Sequence, residues 1–288
     1  GSLLRHCYET IPFYRERMDR AGFHPSDLKS LQDLSALPLL TKQEVLDASD
    51  SMISTRYHKR LLRKAHTGGT TGTPLQLYRN LSAIGNEHAF VRRQYDWAGI
   101  GLRDRCAFLT GRVIVPPDQT GGKLYRYDPF MRELICSTYH LSPGVVPQYA
   151  EAMRRYKVKA LVGYPSAVHL VAKTCLDRKI SLRLKAALTS SETMTASMRR
   201  TIETAFDCRV FDFYGSAERT CYIFTCEKGS YHIIPEYGIT EMIPSSEKGP
   251  NQYRLVGTGF WNRAMPLVRY DSGDIVEASK EDCSCGRS

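Results

Sequence analysis

The middle of the chain alternates short apolar runs with stretches in which apolar residues recur at helical spacing. The apolar runs cover residues 157–164, 186–189 and 209–214. Helical spacing covers residues 166–179 and 196–206. Strands and helices that alternate with short links predict right-handed crossovers and a parallel sheet. The predicted fold class is therefore α/β, with a parallel sheet flanked by helices.

The region before this core has a different pattern. Residues 3–60 are polar and are predicted to be largely helical. Thr41 and Glu44 have the spacing of a capping box at the start of a helix. An alternating segment at 75–78 predicts a strand, and residues 82–98 have helical spacing.

Helical periodicity disappears after residue 220. Short strands separated by glycines such as Gly257 predict a small β-rich lobe there. The chain is thus predicted to comprise a helical N-terminal region (1–64), an α/β core (65–219) and a β-rich lobe (220–288).

Composition excludes several classes of protein. The chain has 288 residues, 42% of them hydrophobic, which is ample for a buried core. No apolar run approaches the ~20 residues that span a bilayer, and no secretory signal opens the sequence. The nine cysteines are odd in number and scattered, which favours a reducing cytoplasm over a disulfide framework.

The formal charge of +10 predicts a basic, soluble surface. A nucleic-acid groove requires aromatic residues between the basic ones, and the basic clusters here lack them. We therefore expect no nucleic-acid partner. Nucleic-acid binding is the less favoured alternative. A basic balance also suits anionic ligands such as a nucleoside triphosphate and a carboxylic acid.

A glycine- and threonine-rich segment begins the α/β core. Its glycines let backbone N–H groups approach an anion, and its threonines add hydroxyl donors. It is not a Walker loop, because it lacks the lysine. An ordinary turn between strands is the alternative interpretation. The segment consists of Thr67, Gly68, Gly69, Thr70, Thr71, Gly72 and Thr73.

Two further segments carry acids suited to a nucleotide. After a predicted strand come Tyr214, Gly215, Ser216 and Glu218, where the aromatic ring can stack on a purine and the carboxylate can hold Mg²⁺. Asp274 follows a Ser-Gly turn, and a carboxylate there can accept hydrogen bonds from both hydroxyls of a ribose. In each case a solvated turn residue is the alternative.

Several of these residues are expected at one edge of the sheet. Tyr164, Ser191, Glu192 and Tyr214 all follow or end predicted parallel strands. Ligands on such sheets bind beyond the carboxyl ends of the strands. A binding site is therefore predicted at that edge.

Segments spread over nearly the whole chain resemble one known superfamily, the adenylate-forming enzymes. This superfamily includes acyl–CoA synthetases, aryl acid ligases and nonribosomal adenylation domains. The finer resemblance is to the phenylacetate–CoA ligase-like group, in its branch associated with capsular polysaccharide synthesis. The matching segments are residues 6–14, 37–42, 67–74, 163–166, 189–192, 213–218, 262–267, 269–274 and 285–287.

The resemblance implies a role for each candidate residue. Thr67 to Thr73 would bind the β- and γ-phosphates of ATP. Thr70, Thr71 and Glu218 would be the catalytic residues, and Glu218 would bind the Mg²⁺ ion. Ser191 and Glu192 would lie against the adenine. Tyr214, which Gly215 and Ser216 follow, would stack on it. Asp274 would hold the ribose, and Arg287 would lie near the ribose or a phosphate.

The implied reaction begins when a small carboxylic acid attacks the α-phosphate of ATP, forming an acyl-adenylate and pyrophosphate. A thiol such as coenzyme A, a carrier protein or an amine would then displace AMP. Two alternatives remain open: AMP transfer onto a non-carboxylate acceptor, and a nucleotide-binding module without catalysis.

Related enzymes continue past the segment at 285–287 into a hinge and a mobile C-terminal domain that supplies a lysine. The present sequence stops at Ser288, so we expect it to bind nucleotide but to adenylate poorly. The opening Gly1 and Ser2 are typical of a tag remnant, which places the natural N-terminus elsewhere.

Four residues suit a structural zinc ion. Cys226 and His232 form one pair and Cys283 and Cys285 another, and thiolates with imidazole can complete a tetrahedron. Such a site would pin the end of the chain onto the β-rich lobe. Cys221 is a competing ligand, and free reduced cysteines are the alternative.

The acid substrate is the least determined part of the sequence-based interpretation. Tyr139, His140 and Tyr164 are candidates to line an acyl pocket. Aromatic residues beside strands are also common in plain cores, which is the alternative here.

Overall fold

The computed structural model describes residues 1–67, 73–245, 251–279 and 281–287. Those residues contain seven α-helices, four short 3₁₀ helices and thirteen strands. The α-helices are α1 (Ser2–Thr10), α2 (Pro12–Arg20), α3 (Lys42–Ala48), α4 (Leu81–Trp97), α5 (Val146–Arg155), α6 (Pro165–Asp177) and α7 (Ala196–Phe206). The strands are β1 (Arg63–His66), β2 (Gln76–Arg79), β3 (Cys106–Leu109), β4 (Tyr125–Asp128), β5 (Glu133–Cys136), β6 (Ala160–Gly163), β7 (Ala186–Ser190), β8 (Arg209–Gly215), β9 (Tyr222–Thr225), β10 (Tyr231–Ile233), β11 (Gly238–Pro244), β12 (Gln252–Gly259) and β13 (Tyr270–Glu277). In the described ranges no helix combines the length and the apolar character that crossing a membrane requires.

The chain forms two compact units, each drawn from three stretches of sequence. The first unit comprises Gly1–Phe90, Gly215–Tyr222 and Ile233–Asp282. The second unit comprises Val91–Tyr214, Ile223–His232 and Cys283–Ser288. The division into a helical N-terminal region (1–64), an α/β core (65–219) and a β-rich lobe (220–288) stays a prediction.

The second unit is built on an eight-stranded sheet with the order β10-β9-β8-β7-β6-β3-β5-β4. Neighbouring strands from β5 through β3, β6 and β7 to β8 are parallel, as predicted. Strand β4 runs antiparallel to β5, so the sheet is mixed.

The two faces of this sheet bury alternate residues of each strand, as the period of two in a β-strand requires. On one face Leu161, Ala187 and Val210 pack in the cluster that includes residues of α5, α6 and α7. On the other face Ala186 and Phe211 pack in a smaller cluster. Because both faces are covered, the strands read as nearly continuous apolar runs, and this is why they were visible in the sequence.

The first unit contains the β1–β2 hairpin and an antiparallel sheet with the order β11-β12-β13. The predicted capping box is present: Thr41 N–H donates to Glu44 Oε2 (2.8 Å), and Glu44 N–H donates to the Thr41 hydroxyl (3.2 Å). Tyr14 is buried, and its hydroxyl donates to Pro266 O at 2.9 Å. This contact ties helix α2 to the segment that leads into β13.

Candidate functional site

The glycine- and threonine-rich segment follows strand β1 of the first unit. Thr67 N–H donates to Leu75 O (3.1 Å), and Leu75 N–H donates to the Thr67 hydroxyl (2.9 Å). These two hydrogen bonds extend the β1–β2 pairing toward the segment, and Thr73 is exposed. The predicted phosphate-binding residues Gly68, Gly69, Thr70, Thr71 and Gly72 lie outside the described residues.

Glu218 is hydrogen-bonded to a buried phenol within the first unit. The Tyr270 hydroxyl donates to Glu218 Oε1 at 3.1 Å. Burial raises the pKa of Tyr270, and the carboxylates of Glu218, Asp271 and Asp274 raise it further. Asp274 is exposed on β13, where its N–H donates to the Ser272 hydroxyl at 3.1 Å. The magnesium role of Glu218 and the ribose role of Asp274 stay predictions.

Arg79 is a candidate residue that the sequence pattern did not indicate. Its guanidinium donates to the backbone carbonyl of Ala217, the residue before Glu218. Burial and the neighbouring charge of Arg219 lower the pKa of Arg79, and the charge of Glu218 opposes them. Alternation at 75–78 predicted the strand, but no local pattern points to a partner 138 residues away.

The turn that carries Glu218 is fixed by several contacts in the same unit. Gly215 ends β8, and Arg219 N–H donates to Ser216 O at 3.2 Å. The backbone of Arg219 is left-handed, with φ +56°. Its side chain donates to Ala83 O (3.3 Å) and pairs with Glu87 (3.4 Å) on α4. Helix α4 therefore helps to hold the turn in place.

Ser191 and Glu192 directly follow β7 in the second unit. Ser191 has a left-handed backbone, with φ +71°, and its hydroxyl donates to the Ser190 hydroxyl at 3.3 Å. Glu192 Oε2 accepts a hydrogen bond from Ser166 N–H at 2.9 Å, at the first turn of α6. The first N–H groups of a helix have no partner within the helix, and the helix dipole is positive at this end, so both stabilise a carboxylate there. The adenine-binding role of these two residues stays a prediction.

Tyr214 is half-buried on β8, two residues after a buried carboxyl that sequence reasoning missed. The hydroxyls of Thr189 and Tyr231 donate to the carboxyl oxygens of Asp212, each at 2.5 Å. Asp212 N–H donates to the Thr225 hydroxyl at 2.8 Å. Burial raises the pKa of Asp212. Asp212 thus connects β8 with residues of β7, β9 and β10, just before the end of β8.

The candidate acyl-pocket residues lie at the carboxyl ends of β3, β5 and β6 in the second unit. The Tyr164 hydroxyl donates to Thr110 O at 3.2 Å. His140 Nδ1 and the Ser137 hydroxyl are hydrogen-bonded at 2.7 Å. The Nε2 atom of His140 and the hydroxyl of Thr110 are buried without a hydrogen-bond partner. Tyr139, by contrast, is 58% exposed.

The structure brings the four predicted metal ligands together in the second unit. The ligand atoms of Cys226, His232, Cys283 and Cys285 all lie within 4.8 Å of one another. Cys226 Sγ is 3.6 Å from Cys283 Sγ, and Cys285 Sγ is 3.4 Å from His232 Nε2. Burial raises the pKa of Cys226, whereas a hydrogen bond with Ser230 lowers the pKa of Cys283 to about 6.

Cys221, the competing ligand, is not a member of this group. It belongs to the first unit, where it is buried. The group lies where the β9–β10 turn meets residues 283–285, so it attaches the last segment to the edge of the eight-stranded sheet.

Arg287 has partners of its own within the second unit. Its guanidinium donates to Glu227 Oε2 at 2.7 Å and lies 4.0 Å from the centre of the Trp97 ring. The predicted role near the ribose or a phosphate stays a prediction.

Proteins similar to this chain include CapK and phenylacetate–coenzyme A ligases. CapK of Staphylococcus aureus is 30% identical over 271 residues, which cover 93% of this chain and 59% of CapK. The phenylacetate–coenzyme A ligase of Escherichia coli K12 is 27% identical over 289 residues, 95% of this chain and 64% of the ligase. The chain is related to the phenylacetate–CoA ligase-like group of adenylate-forming enzymes. No family model matches the sequence.

The chain spans about three fifths of the length of these curated relatives. The phenylacetate–coenzyme A ligase of Pseudomonas putida is 26% identical to this chain, over 95% of this chain and 63% of the ligase. The match to the phenylacetate–CoA ligase-like group therefore concerns one portion of those enzymes.

Solved structures with the same fold include 2-hydroxyisobutyryl-CoA ligase in complex with 2-HIB-AMP and CoA. Its open conformation has a TM-score of 0.73 and 22% identity, covering 99% of this chain and 70% of that one. The thioesterification state has a TM-score of 0.75, also at 22% identity, covering 99% and 63%. The chain therefore has the predicted α/β fold of adenylate-forming CoA ligases.

Proposed function

We propose that the chain is the nucleotide-binding portion of a ligase that activates a carboxylic acid with ATP and transfers the acyl group to coenzyme A. The observation that carries the proposal is the hydrogen bond from the buried phenol of Tyr270 to Glu218, at the turn that follows β8. It is supported by the relatives named phenylacetate–CoA ligase and by the ligase structures that contain an acyl-AMP and CoA. A carrier protein or an amine is the alternative acceptor.

In the proposed reaction a carboxylate oxygen of the acid attacks the α-phosphorus of ATP. The bond from that phosphorus to the bridging oxygen breaks, and pyrophosphate leaves. The thiol sulfur of coenzyme A then attacks the acyl carbonyl, AMP leaves, and the thiol proton goes to solvent. The protein contributes chiefly position and charge neutralisation in such a reaction.

The residues of the first unit have distinct proposed roles. Glu218 would hold Mg²⁺, which neutralises phosphate charge when bound, and a carboxylate is the hard oxygen ligand that this ion prefers. Tyr270 orients the carboxylate of Glu218 through its hydroxyl at 3.1 Å. Asp274 would accept the ribose hydroxyls, which its exposed position on β13 permits. Thr67 to Thr73 keep their predicted role at the phosphates.

The acid is proposed only as a class, a small carboxylic acid. Tyr139, His140 and Tyr164 keep their predicted role as residues that line the acyl pocket.

Two further assignments belong to the proposal. Zinc is proposed as a structural ion that takes no part in the reaction. Its ligands would be Cys226, His232, Cys283 and Cys285. A cytoplasmic location is expected, because the nine cysteines are free thiols and the reaction consumes ATP and coenzyme A.

The test is ATP–pyrophosphate exchange on the complete gene product, with a panel of plain and hydroxylated carboxylic acids. We expect exchange that depends on one class of acid. Glu218→Gln should lower the exchange rate by about 100-fold or more, since it removes charge stabilisation at the phosphates.

Glu16→Gln is the matched control, because Glu16 is 73% exposed and its ion-pair partner Arg20 is equally exposed. Equal exchange rates in the two variants would remove Glu218 from the mechanism. Pyrophosphate release that needs no acid would instead indicate AMP transfer to another acceptor. ATP binding without any turnover would indicate a nucleotide-binding module.

A further inference from the structure

Two matching turns contribute cysteines to the cluster of Cys226, His232, Cys283 and Cys285. Gly229 N–H donates to Cys226 O at 2.9 Å, and Gly286 N–H donates to Cys283 O at 3.1 Å. Both glycines have a left-handed backbone, with φ +87° and +75°. The chain therefore forms the same Cys-x-x-Gly turn twice, and each turn begins at a cysteine of the cluster.

Each turn also directs a backbone N–H group at a sulfur. Lys228 N–H lies 3.3 Å from Cys226 Sγ, and Arg287 N–H lies 3.4 Å from Cys285 Sγ. Donors of this kind stabilise negative charge on sulfur and orient a thiolate that binds a metal. These two N–H···S contacts are a second observation, separate from the short distances between the four ligand atoms.

The dimensions of the cluster suit a tetrahedral ion. With Zn–S bonds of about 2.3 Å and Zn–N bonds of about 2.0 Å, neighbouring ligand atoms in a tetrahedron are about 3.5–3.8 Å apart. The Cys226–Cys283 sulfur distance is 3.6 Å, and the Cys285 sulfur is 3.4 Å from the His232 nitrogen. Three thiolates and one imidazole form a closed structural zinc set, and soft sulfur ligands disfavour magnesium or calcium.

The segment that this ion would hold ends at Arg287. The guanidinium of Arg287 lies 4.0 Å from the centre of the Trp97 ring and donates to Glu227 at 2.7 Å. Residues 283–287 contain no helix or strand of their own. Their attachment to the β9–β10 turn therefore depends chiefly on the cluster and on this one side chain.

We propose that Cys226, His232, Cys283 and Cys285 bind one zinc ion, which fixes residues 283–287 on the β9–β10 turn and so holds Arg287 against Trp97. Zinc binding and acid activation are independent: a protein without exchange activity would still be expected to hold zinc.

The test begins with the complete protein, purified under reducing conditions without a metal-affinity column, and measures metal by mass spectrometry. We expect about one zinc per chain, as for a closed structural site. Cys283→Ser and Cys285→Ser should each lower the zinc content by roughly tenfold or more, with circular dichroism confirming that the chain is folded. Cys208→Ser is the matched control and should retain the ion, because Cys208 lies outside the cluster.

A second readout follows Arg287. Residues 1–288 contain two tryptophans, so Trp261→Phe leaves Trp97 as the only indole in these residues, and a Trp97→Phe variant identifies its share of the emission. In this background a zinc chelator should change the emission of Trp97, and added zinc should restore it. Arg287→Met should produce a similar spectral change while the zinc content stays at about one per chain.

Several results would overturn the proposal. Less than about a tenth of a zinc per chain after expression with added zinc would exclude the site. Equal zinc loss in the Cys208 and Cys283 variants would exclude these ligands. A mass lower by two hydrogens under non-reducing conditions, with peptide mapping that links Cys226 to Cys283, would indicate a disulfide instead. An emission spectrum unchanged by zinc removal would exclude the link to Arg287.

Discussion

Arg269 shows how a single side chain positions a segment far away in sequence. Its guanidinium donates to both carboxylate oxygens of Glu241 at 2.7–3.1 Å, and to the carbonyl oxygens of Ser35 (3.1 Å) and Leu37. Its backbone is left-handed, with φ +52°, directly before Tyr270. Arg269 therefore sets the start of β13, the strand that carries Asp274.

Arg269→Lys is expected to destabilise the protein by about 2 kcal/mol. The single ammonium group of lysine cannot make all the hydrogen bonds that the planar guanidinium of Arg269 donates to its several acceptors. The loss would be measured by urea unfolding. Arg5→Lys on α1 is the matched control, since Arg5 is exposed in the same unit. A loss in the Arg269 variant no larger than in the control would contradict the structural role.

Asp212 gives a prediction about pH. Burial holds the pKa of its carboxyl above the ordinary value, so the folded state keeps a proton that the unfolded state has released. Stability should therefore fall as pH rises from the ordinary carboxyl pKa of ~3.9 through the folded pKa. The unfolding free energy of Asp212→Asn, relative to wild type, should increase between about pH 4 and about pH 7.

The control for this prediction is Asp118→Asn, because Asp118 is exposed in the same unit. A pH-dependent increase of the same size in this variant would show that the effect does not come from Asp212. A flat difference for the Asp212 variant would show that this carboxyl has the same pKa in both states.

Residue-level features were predictable where their partners are local. The capping box of Thr41 and Glu44 was visible in the sequence because the two residues are three positions apart. The roles of Asp212 and Arg79 were not visible, because Asp212 meets Thr189 across 23 residues and Arg79 meets Ala217 across 138. Chemistry that depends on such pairings has no sequence pattern.

At the scale of elements, the alternation in the middle of the chain predicted the architecture closely. Helix α7 has the predicted bounds, and β7 and β8 each extend one residue further than predicted. These elements are buried on a regular period, so the pattern follows from packing.

The role of Gly257 was predicted wrongly. It does not separate strands but lies within β12, where a Cβ atom would come within 2.5 Å of the Thr220 hydroxyl and 2.6 Å of Cys221 Sγ. Close approach of another segment, and not a turn, explains this glycine.

Gly163 leads to a prediction at the same scale. It ends β6, and a Cβ atom there would lie 2.6 Å from the backbone oxygen of Leu109 on the neighbouring strand β3. Gly163→Ala should cost about 1–3 kcal/mol, because two paired strands cannot easily separate. Thermal and urea unfolding would measure the loss.

Gly85→Ala is the matched substitution with the opposite expected sign. Gly85 lies on α4 with no atom within 4 Å of an added Cβ, so the change should stabilise the protein by about 0.5–1 kcal/mol. Destabilisation of similar size in both variants would show that the β3–β6 contact is not the cause.

At the scale of the whole molecule, the sequence predicted the fold class and the resemblance to adenylate-forming enzymes. Both are confirmed by relatives that match more than nine-tenths of the chain and by the ligase structures. The roles of individual residues in binding a nucleotide remain predictions, because chains of one fold bind different ligands through a few side chains.

The interleaving of the two units also bears on how the protein is made. Each unit takes its parts from three separate stretches, and the first is complete only at Asp282. The second still needs the residues that begin at Cys283. The core of the first unit includes Met265, Val268 and Tyr270, whereas the two core clusters of the second unit run only as far as Phe211. During translation, at about 5–20 residues per second, the core of the first unit therefore stays unfinished until these late residues emerge from the ribosome. Bound chaperones are expected on ribosomes stalled before residue 265.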